Sequence, residues 1–437
     1  MNKNNIFYGN TNKVLFKILV ASSLTLTVSP VLAKDSSVVE KTSSAVAKDS
    51  YAPLGLRVGS FMVSPSVEGV TEWNDNIYYR QNNAIGDFIF HIKPTVNVRS
   101  NWNRHELSFS SGGDFMFYKN HSTEDKQNYF ANLGGRFDVL KDSFATANLY
   151  FNHMAENRGT PDPVVNVATR PLENNTFGAT VGYEHKINRV RINLSDDIKR
   201  IDYIDGIDAK GDIVPNSQRT RTVNTSTVRL GYELFSGYEA YLKGSYNFVD
   251  YQNPFTAIIY TGNGIALDRS SHGYAVETGL KFDVTHTMVG DAYVGYREQT
   301  YKSPMLMPIS GMTGGLGLTW LPTRLTTVKI VLNRDILETT QIGLSGFFST
   351  AVTASVDHEL LRNVLLNTHA SYTNNAYTGP HALNRQDDLY NAGAGIKYLV
   401  NRYLYLKLNY DYFARSSNIN GQNYDINSAY FTVGTQL

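Results

Sequence analysis

Cysteine is absent from the 437 residues. That absence excludes disulfide frameworks, thiolate metal centres and cysteine nucleophiles. Proline is scarce at 13 and tryptophan scarcer at 3. Charge is thin as well. Asp, Glu, Lys and Arg make up 18% of the chain, below the share typical of soluble domains. Neither sign dominates: 40 Lys and Arg stand against 39 Asp and Glu, for a net charge of +1. A nucleic-acid partner would call for a basic surplus, so none is expected. Beyond the N-terminal leader no segment is long and apolar enough for a helical membrane span.

The leader itself reads as an export signal. Lys3 and Lys13 form a positive start, and Ile18 to Ala33 is apolar and rich in small residues. Val31-Leu32-Ala33 has the small residues of a cleavage site. Residues 1–33 are therefore expected to be a signal peptide. Residues 34–55, rich in Ser, Lys, Asp and Ala, are expected to be a flexible periplasmic leader. Residues 56–437 carry one uniform pattern and are expected to form one domain.

That pattern is an alternation of period two, which sends successive side chains to opposite faces of a sheet. Leu404, Leu406, Leu408, Tyr410 and Tyr412 share one face; Tyr405, Lys407, Asn409 and Asp411 share the other. Val190, Ile192 and Leu194 alternate with Arg191, Asn193 and Ser195 in the same way. Such segments come in pairs, joined alternately by short and long links. Short links are expected at 101–103, 141–142, 188–189, 235–238, 286, 322–323, 361–363 and 401–402. Long ones are expected near 80–86, 119–126, 157–172, 204–219, 254–269, 302–309, 339–345, 377–384 and 418–423. Counting the segments gives about 18 strands, an even number. The first of them is placed at Phe61 to Tyr79, despite Pro65. The expected fold is all-β: a transmembrane antiparallel up-and-down β-barrel with short periplasmic turns and long extracellular loops.

In a membrane barrel the apolar face meets lipid and the polar face lines the lumen. Aromatics near strand ends, such as Tyr78, Tyr79, Phe117, Tyr118, Tyr410 and Tyr412, then suit interface girdles. The polar face puts twelve basic residues on the lumen wall: Lys93, Arg99, Arg136, Lys186, Arg191, Arg229, Lys243, Lys281, Arg297, Lys329, Lys397 and Lys407. Lys199 joins them. The acidic set is Glu106, Asp114, Asp138, Glu184, Glu233, Glu239, Glu277, Asp283, Asp291, Asp357 and Asp411, with Asp197 and Asp335. The signs balance, so strong ion selectivity from net lumen charge is not expected. Asp196 falls on the lipid face and is expected near the rim.

Two long links are unusually apolar. One holds Phe255, Ile258, Ile259, Ile265 and Leu267; the other holds Met305, Leu306 and Met307. One of them is expected to fold inward and narrow the barrel, with docking on the rim as the alternative. The last segment alternates Ala429, Phe431, Val433, Thr435 and Leu437 to the C-terminus. It resembles the signal that the barrel-assembly machinery reads, with Leu in place of the common terminal aromatic.

Motifs of catalysis are missing: there is no HExxH, GxSxG or P-loop. His369-Ala370-Ser371 with Asn384 has the residue types of an outer-membrane phospholipase, but its Ser faces the lumen rather than lipid. No enzyme, metal or cofactor is expected. Acidic and basic loop residues suit calcium or lipopolysaccharide at the outer rim, with no ligand spacing specific enough to name a site.

Several stretches resemble the β-barrel porin family, type 2, of Gram-negative outer membranes. They are Gly69 to Tyr78 (GVTEWNDNIY), Arg99 to Leu107 (RSNWNRHEL), Glu156 to Pro161 (ENRGTP), Gly231 to Tyr251 and Arg415 to Asp425 (RSSNINGQNYD). The resemblance spans the whole mature chain. It implies an outer-membrane location and a passive or export channel, and no catalytic residues. Some relatives are associated with exopolysaccharide or capsule production. The expected function is passive diffusion of small hydrophilic solutes. The alternatives are a barrel serving polysaccharide secretion and a structural or surface-binding barrel with a blocked lumen.

Overall fold

The computed structural model describes residues 51–437 except 161–167, 253–254, 258–264, 285–286, 342, 381 and 383. The expected signal peptide, most of the leader and the turn at His286 lie outside the described residues.

Eighteen antiparallel strands close into one barrel. They are β1 Phe61–Asn74, β2 Asp87–Ser100, β3 Glu106–Tyr118, β4 Lys126–Leu140, β5 Ser143–Ala155 and β6 Glu173–Ile187. Next come β7 Val190–Tyr203, β8 Arg221–Phe235, β9 Tyr238–Tyr251, β10 Ser271–Val284, β11 Met288–Tyr301 and β12 Ile309–Thr323. The last are β13 Thr326–Glu338, β14 Gly346–Leu361, β15 Val364–Thr378, β16 Gln386–Leu399, β17 Leu404–Ser417 and β18 Tyr424–Gln436. Each strand pairs with the next. Closure comes from β1 against β18, from Ser66 opposite Gln436 to Asn74 opposite Ser428. Each of the eighteen strands is therefore hydrogen-bonded to a neighbour on both sides, which a membrane requires of strands that cross it.

The first strand is shorter than its alternation suggests. It stops at Asn74, whose side-chain oxygen accepts the Asn76 N–H at 2.9 Å. Asp75 is drawn aside by Asn427, which donates its backbone N–H and its amide at 2.8 and 2.7 Å. These local bonds replace the ladder and start a turn. Tyr78 and Tyr79 therefore sit in a loop, not in an aromatic girdle. Tyr118 leaves the girdle too, because it shares the inward row of β3, whereas Phe117, Tyr410 and Tyr412 are exposed on the outside. One turn also moves. A register shift between Trp320 and Thr323 carries the β12–β13 turn past the expected 322–323 to Arg324-Leu325. Similar shifts end β4, β8 and β14 at their short turns, where bulges tighten a hairpin.

Inside and outside are told apart by contact. On a concave face side chains converge and touch across an intervening strand; on a convex face they splay apart. Arg191 of β7 reaches Glu239 of β9 at 2.9 Å, and Tyr241 of β9 reaches Asp291 of β11 at 2.6 Å. Glu68 of β1 meets Lys407 of β17 at 2.7 Å. The other face carries the exposed large apolar residues, such as Phe90, Leu149, Val181, Leu242, Leu408 and Phe431. Leu408 is 58% exposed in mid-wall. Leu408→Arg should destabilise the barrel by roughly 2–4 kcal/mol in vesicles, as a cation facing hydrocarbon does. Chemical unfolding in lipid vesicles measures this, and an unchanged midpoint would put this face in water.

Asp196 corrects an expectation. It faces outward midway along β7 rather than at the rim. The site is tolerable because the carboxylate is not bare: Ser226 donates its hydroxyl at 2.6 Å and Asn224 its amide at 3.0 Å.

Two segments at the long-loop end leave the wall. The ladder between β12 and β13 runs only from the turn to Gly314 opposite Arg334. Beyond that point β13 stays paired with β14 while β12 stays paired with β11. Ile336, on the outward row of β13, is 6% exposed and packs on Tyr301 and Ile309 of the inward rows. Phe348 of β14 joins it. The top of the β13–β14 hairpin has thus tucked into the barrel. Gly311 makes room, since a Cβ there would stand 2.7 Å from the Phe348 ring. Arg334 bridges the split by donating to the freed Met312 carbonyl at 3.2 Å. Leu267 and Leu306 from the two apolar loops cover the same cluster. The inward segment is therefore this hairpin, and those two loop residues serve as its packing. The side chains of Phe255, Ile258, Ile259 and Ile265 lie outside the described residues.

Candidate functional site: the inner wall and its mouth

The 23 charged residues expected on the lumen wall all fall on inward rows of their strands. Most are paired there. Lys93 meets Asp114 at 3.0 Å, Arg99 meets Glu106 at 2.8 Å and Arg136 meets Asp138 at 2.7 Å. Lys186 meets Glu233 at 2.7 Å, Lys243 meets Glu277 at 2.8 Å and Arg297 meets Asp335 at 3.2 Å. Arg191 bonds Glu184 as well as Glu239, and Arg229 stands 3.0 Å from Glu239 and 3.9 Å from Asp291. Asp411 meets His369 at 3.3 Å. Lys281, Asp283, Asp357 and Lys397 are likewise engaged. Lys397 also lies over the Tyr405 ring at 3.9 Å. Lys329 has no ion-pair partner among the described residues.

Pairing of this kind follows from the alternation itself. Inward rows put charged residues side by side on one face; some like charges fall directly opposite, as Arg229 and Lys243 do, and the long side chains reach opposite signs along the strand or across an intervening one. Because each field is neutralised close to its source, little of it extends into the lumen.

Sequence reasoning missed several members of the wall. Glu68 and Glu72 belong to the inward row of β1, and Glu72 and Asp114 hold His91 between them at 3.0 and 2.9 Å. The spacing Glu68-Val70-Glu72-Asn74 has the period of two that would have revealed them. Pro65 and the overlong first strand obscured it.

The second crossing segment was missed altogether. In the loop after β5, residues 157–159 meet Lys126 of β4, Glu124 of the β3–β4 link, Tyr79 of the β1–β2 link and Tyr424 of β18. Arg158 is its anchor. It is 6% exposed and grips Glu124, itself 2% exposed, through two bonds of 2.9 and 2.6 Å. A third bond reaches the Ala168 carbonyl at 2.7 Å. Lys126 of the inward row of β4 donates to Asn157 at 2.7 Å. Gly159 lies against Tyr79 and Tyr424, and a Cβ there would stand 2.7 Å from the Tyr424 hydroxyl. That hydroxyl donates to the Gly159 carbonyl at 3.3 Å. Burial pushes the Tyr79 phenol up to about 12, so the ring beneath the loop stays neutral. The loop's other side is tied by Glu156, bidentate to Arg219 at 2.8 Å. Farther along, Asp205 collects the backbone N–H groups of Asn216 and Ser217. Burial raises its carboxyl, and those donors outweigh it and hold the group below the usual carboxylate range.

The His369 constellation does not assemble. His369 turns to Asp411, and Asn384 sits in the following loop with its carbonyl taken by Asn418. Among the described residues no group of three or more His, Asp or Glu is arranged to hold a metal.

A closed barrel with an apolar outside and a charged inside is the geometry of a membrane channel wall. The family model described as Putative beta-barrel porin 2 matches residues 49–437. The chain belongs to this family. It is a porin-like outer-membrane barrel, and the match covers every strand. Among solved structures the chain is similar to the siderophore receptor PiuA from Acinetobacter baumannii. The two share 10% identity, with 88% of this chain and 82% of that one covered and a TM-score of 0.46. It is also similar to OpdL of Pseudomonas aeruginosa, at 10% identity, 87% and 99% coverage and a TM-score of 0.43. OccK3 (OpdO) of Pseudomonas aeruginosa stands at 12% identity, 87% and 96% coverage and a TM-score of 0.43. No curated protein matches the chain. As a β-barrel porin, the protein presents one candidate site, the inner wall and its narrowed mouth.

Proposed function

We propose that this barrel lies in the Gram-negative outer membrane and passes small hydrophilic solutes by passive diffusion. The observation that carries the proposal is the inner wall itself, a polar surface most of whose charges are matched in pairs. Such a wall wets the lumen without trapping ions strongly. Size exclusion falls to the long-loop end, where the Arg158 loop and the β13–β14 hairpin reach inward. Short turns then face the periplasm, lipid and lipopolysaccharide surround the outer wall, and the barrel-assembly machinery inserts the chain. No bond chemistry is assigned to it.

Single-channel recording of the refolded chain in a planar bilayer tests this. A stable conductance with weak preference between cations and anions is expected. Silence from protein that is folded, as shown by its heat-dependent gel mobility, would sink the proposal and favour a blocked structural barrel. Glu239 offers a sharper check, because its two oxygens hold Arg191 and Arg229. Glu239→Gln should unmask both guanidinium groups and move the reversal potential in a salt gradient towards anions. A shift towards cations, or none, would show that these residues do not face the permeation path.

A further inference from the structure

Cations on the inner wall stand mostly against carboxylates, as Lys243 does against Glu277. Lys199 and Arg221 break that rule together. They lie on the inward rows of neighbouring strands. Lys199 is opposite Val223 and Arg221 is opposite Ile201, so the two are diagonal neighbours. Diagonal positions are about 7–8 Å apart, within reach of long side chains. Among the described residues the Lys199 ammonium has no hydrogen bond or ion pair, and no carboxylate stands in ion-pair contact with Arg221. The nearby acids are engaged elsewhere. Asp197 accepts the Thr180 hydroxyl at 2.7 Å. Glu338 accepts the Ser271 and Tyr251 hydroxyls at 2.9 and 3.3 Å.

The surroundings fix Arg221 in place. Its Nη1 donates to the Arg219 carbonyl at 3.0 Å, and its guanidinium lies 5.7 Å from the Tyr203 ring centre and 5.5 Å from that of Tyr251. Two like charges held together with no carboxylate in ion-pair contact repel each other, and an anion placed between them lowers that cost. The flanking rings are fixed: Tyr251 is buried, and Tyr203 carries the Arg219 guanidinium over its ring at 4.1 Å. Glu338, Ser271 and Gln299, in a bonded chain beside Tyr251, offer acceptors and donors for hydroxyl groups.

We propose that Lys199 and Arg221, with Tyr203 and Tyr251, form a binding station in the lumen for carboxylated sugars. The carboxylate lies between the two cations, and the hydroxyls turn to Glu338. An aromatic acid would satisfy the cations and leave the Glu338 side unanswered. The station deepens the diffusion reading and rests on it for access to the site.

Calorimetric titration of the refolded full chain in detergent micelles tests the station with D-glucuronate and D-glucose. Glucuronate should bind at least about tenfold more tightly than glucose, with an affinity that falls as salt rises. Lys199→Gln/Arg221→Gln should lose roughly tenfold for glucuronate and nothing for glucose. The single variant Lys199→Gln removes no contact made by the ammonium, so it folds as the parent does and should show part of the loss. Equal affinity for the two sugars, or unchanged binding by both variants, would overturn the station. Bilayer recording in parallel separates the two readings. Binding without any conductance supports the station and refutes open diffusion, whereas conductance without selective binding refutes the station alone.

Discussion

Arg158→Ala should open the mouth. The side chain ties the loop after β5 to Glu124 of the β3–β4 link through two bonds, and braces the loop itself through the Ala168 carbonyl. Both charged partners are buried, so removing one leaves the other without compensation, at a cost of about 3–5 kcal/mol. That cost falls on the loop and not on the barrel, whose ladder is untouched. Detaching the loop relieves it, because Glu124 then reaches water. Glu156 still holds the loop's other side to Arg219, and towards the wall the remaining ties are weaker: one neutral acceptor for Lys126 and a 3.3 Å bond from Tyr424. The expected result is a clear rise in single-channel conductance with unchanged strand content by circular dichroism. Glu124→Gln should act in the same direction with a smaller effect, because the amide keeps one acceptor for the guanidinium. Conductance equal to that of the parent in both variants would mean that the loop lies outside the permeation path.

The wall was legible in the sequence and the mouth was not, for a physical reason. A strand writes its orientation into every second residue, so Lys407, Asn409 and Asp411 against Leu406, Leu408 and Tyr410 determine both register and face. Once β17 is read, its neighbours follow, and Arg191 and Glu239 share the inward face although β8 lies between them. Loops carry no such period. Arg158 and Glu124 are far apart in sequence, and neither has a local pattern that names the other. The two apolar loops attracted attention because exposed Leu306 and Leu267 would be costly. Their partners, Ile336 and Phe348, looked like ordinary lipid-facing residues of a regular strand. Only the missing ladder between β12 and β13 shows that this face had turned inward, and a missing ladder leaves no trace in alternation. Asp196 shows the same limit in reverse. Its outward direction follows from the period, but its tolerance in mid-wall depends on Ser226 and Asn224 across the strand gap.

Arg269→Ala should release the other obstruction. This side chain is 3% exposed and holds the tip of the tucked hairpin by its backbone. It donates to the carbonyls of Thr339 and Gln341 at 2.6 Å each and to that of Leu344 at 3.0 Å. Bonds from a charged donor contribute about 1.5–3 kcal/mol apiece, so three of them outweigh any other tie at the tip. One other charged donor reaches the tip, Arg385 to the Gln341 side-chain oxygen at 2.6 Å, and the rest are neutral, such as Tyr301 to the Ser345 carbonyl at 2.8 Å and the Met307 N–H to the Ser345 hydroxyl at 3.0 Å. With the guanidinium gone, three carbonyls lose their donor in a buried place, and the tip gains by moving to water. Arg269→Lys restores a charge but not a planar fork, so it should recover only part of the hold. Two measurements follow the release. Protease should cut the 339–345 segment in the alanine variant and spare it in the parent, and conductance should rise with larger open-state noise. Resistance to cleavage together with an unchanged conductance would show that burial of Ile336 and Phe348 alone keeps the hairpin inside. The apolar contact, and not the arginine, would then set the width of the mouth.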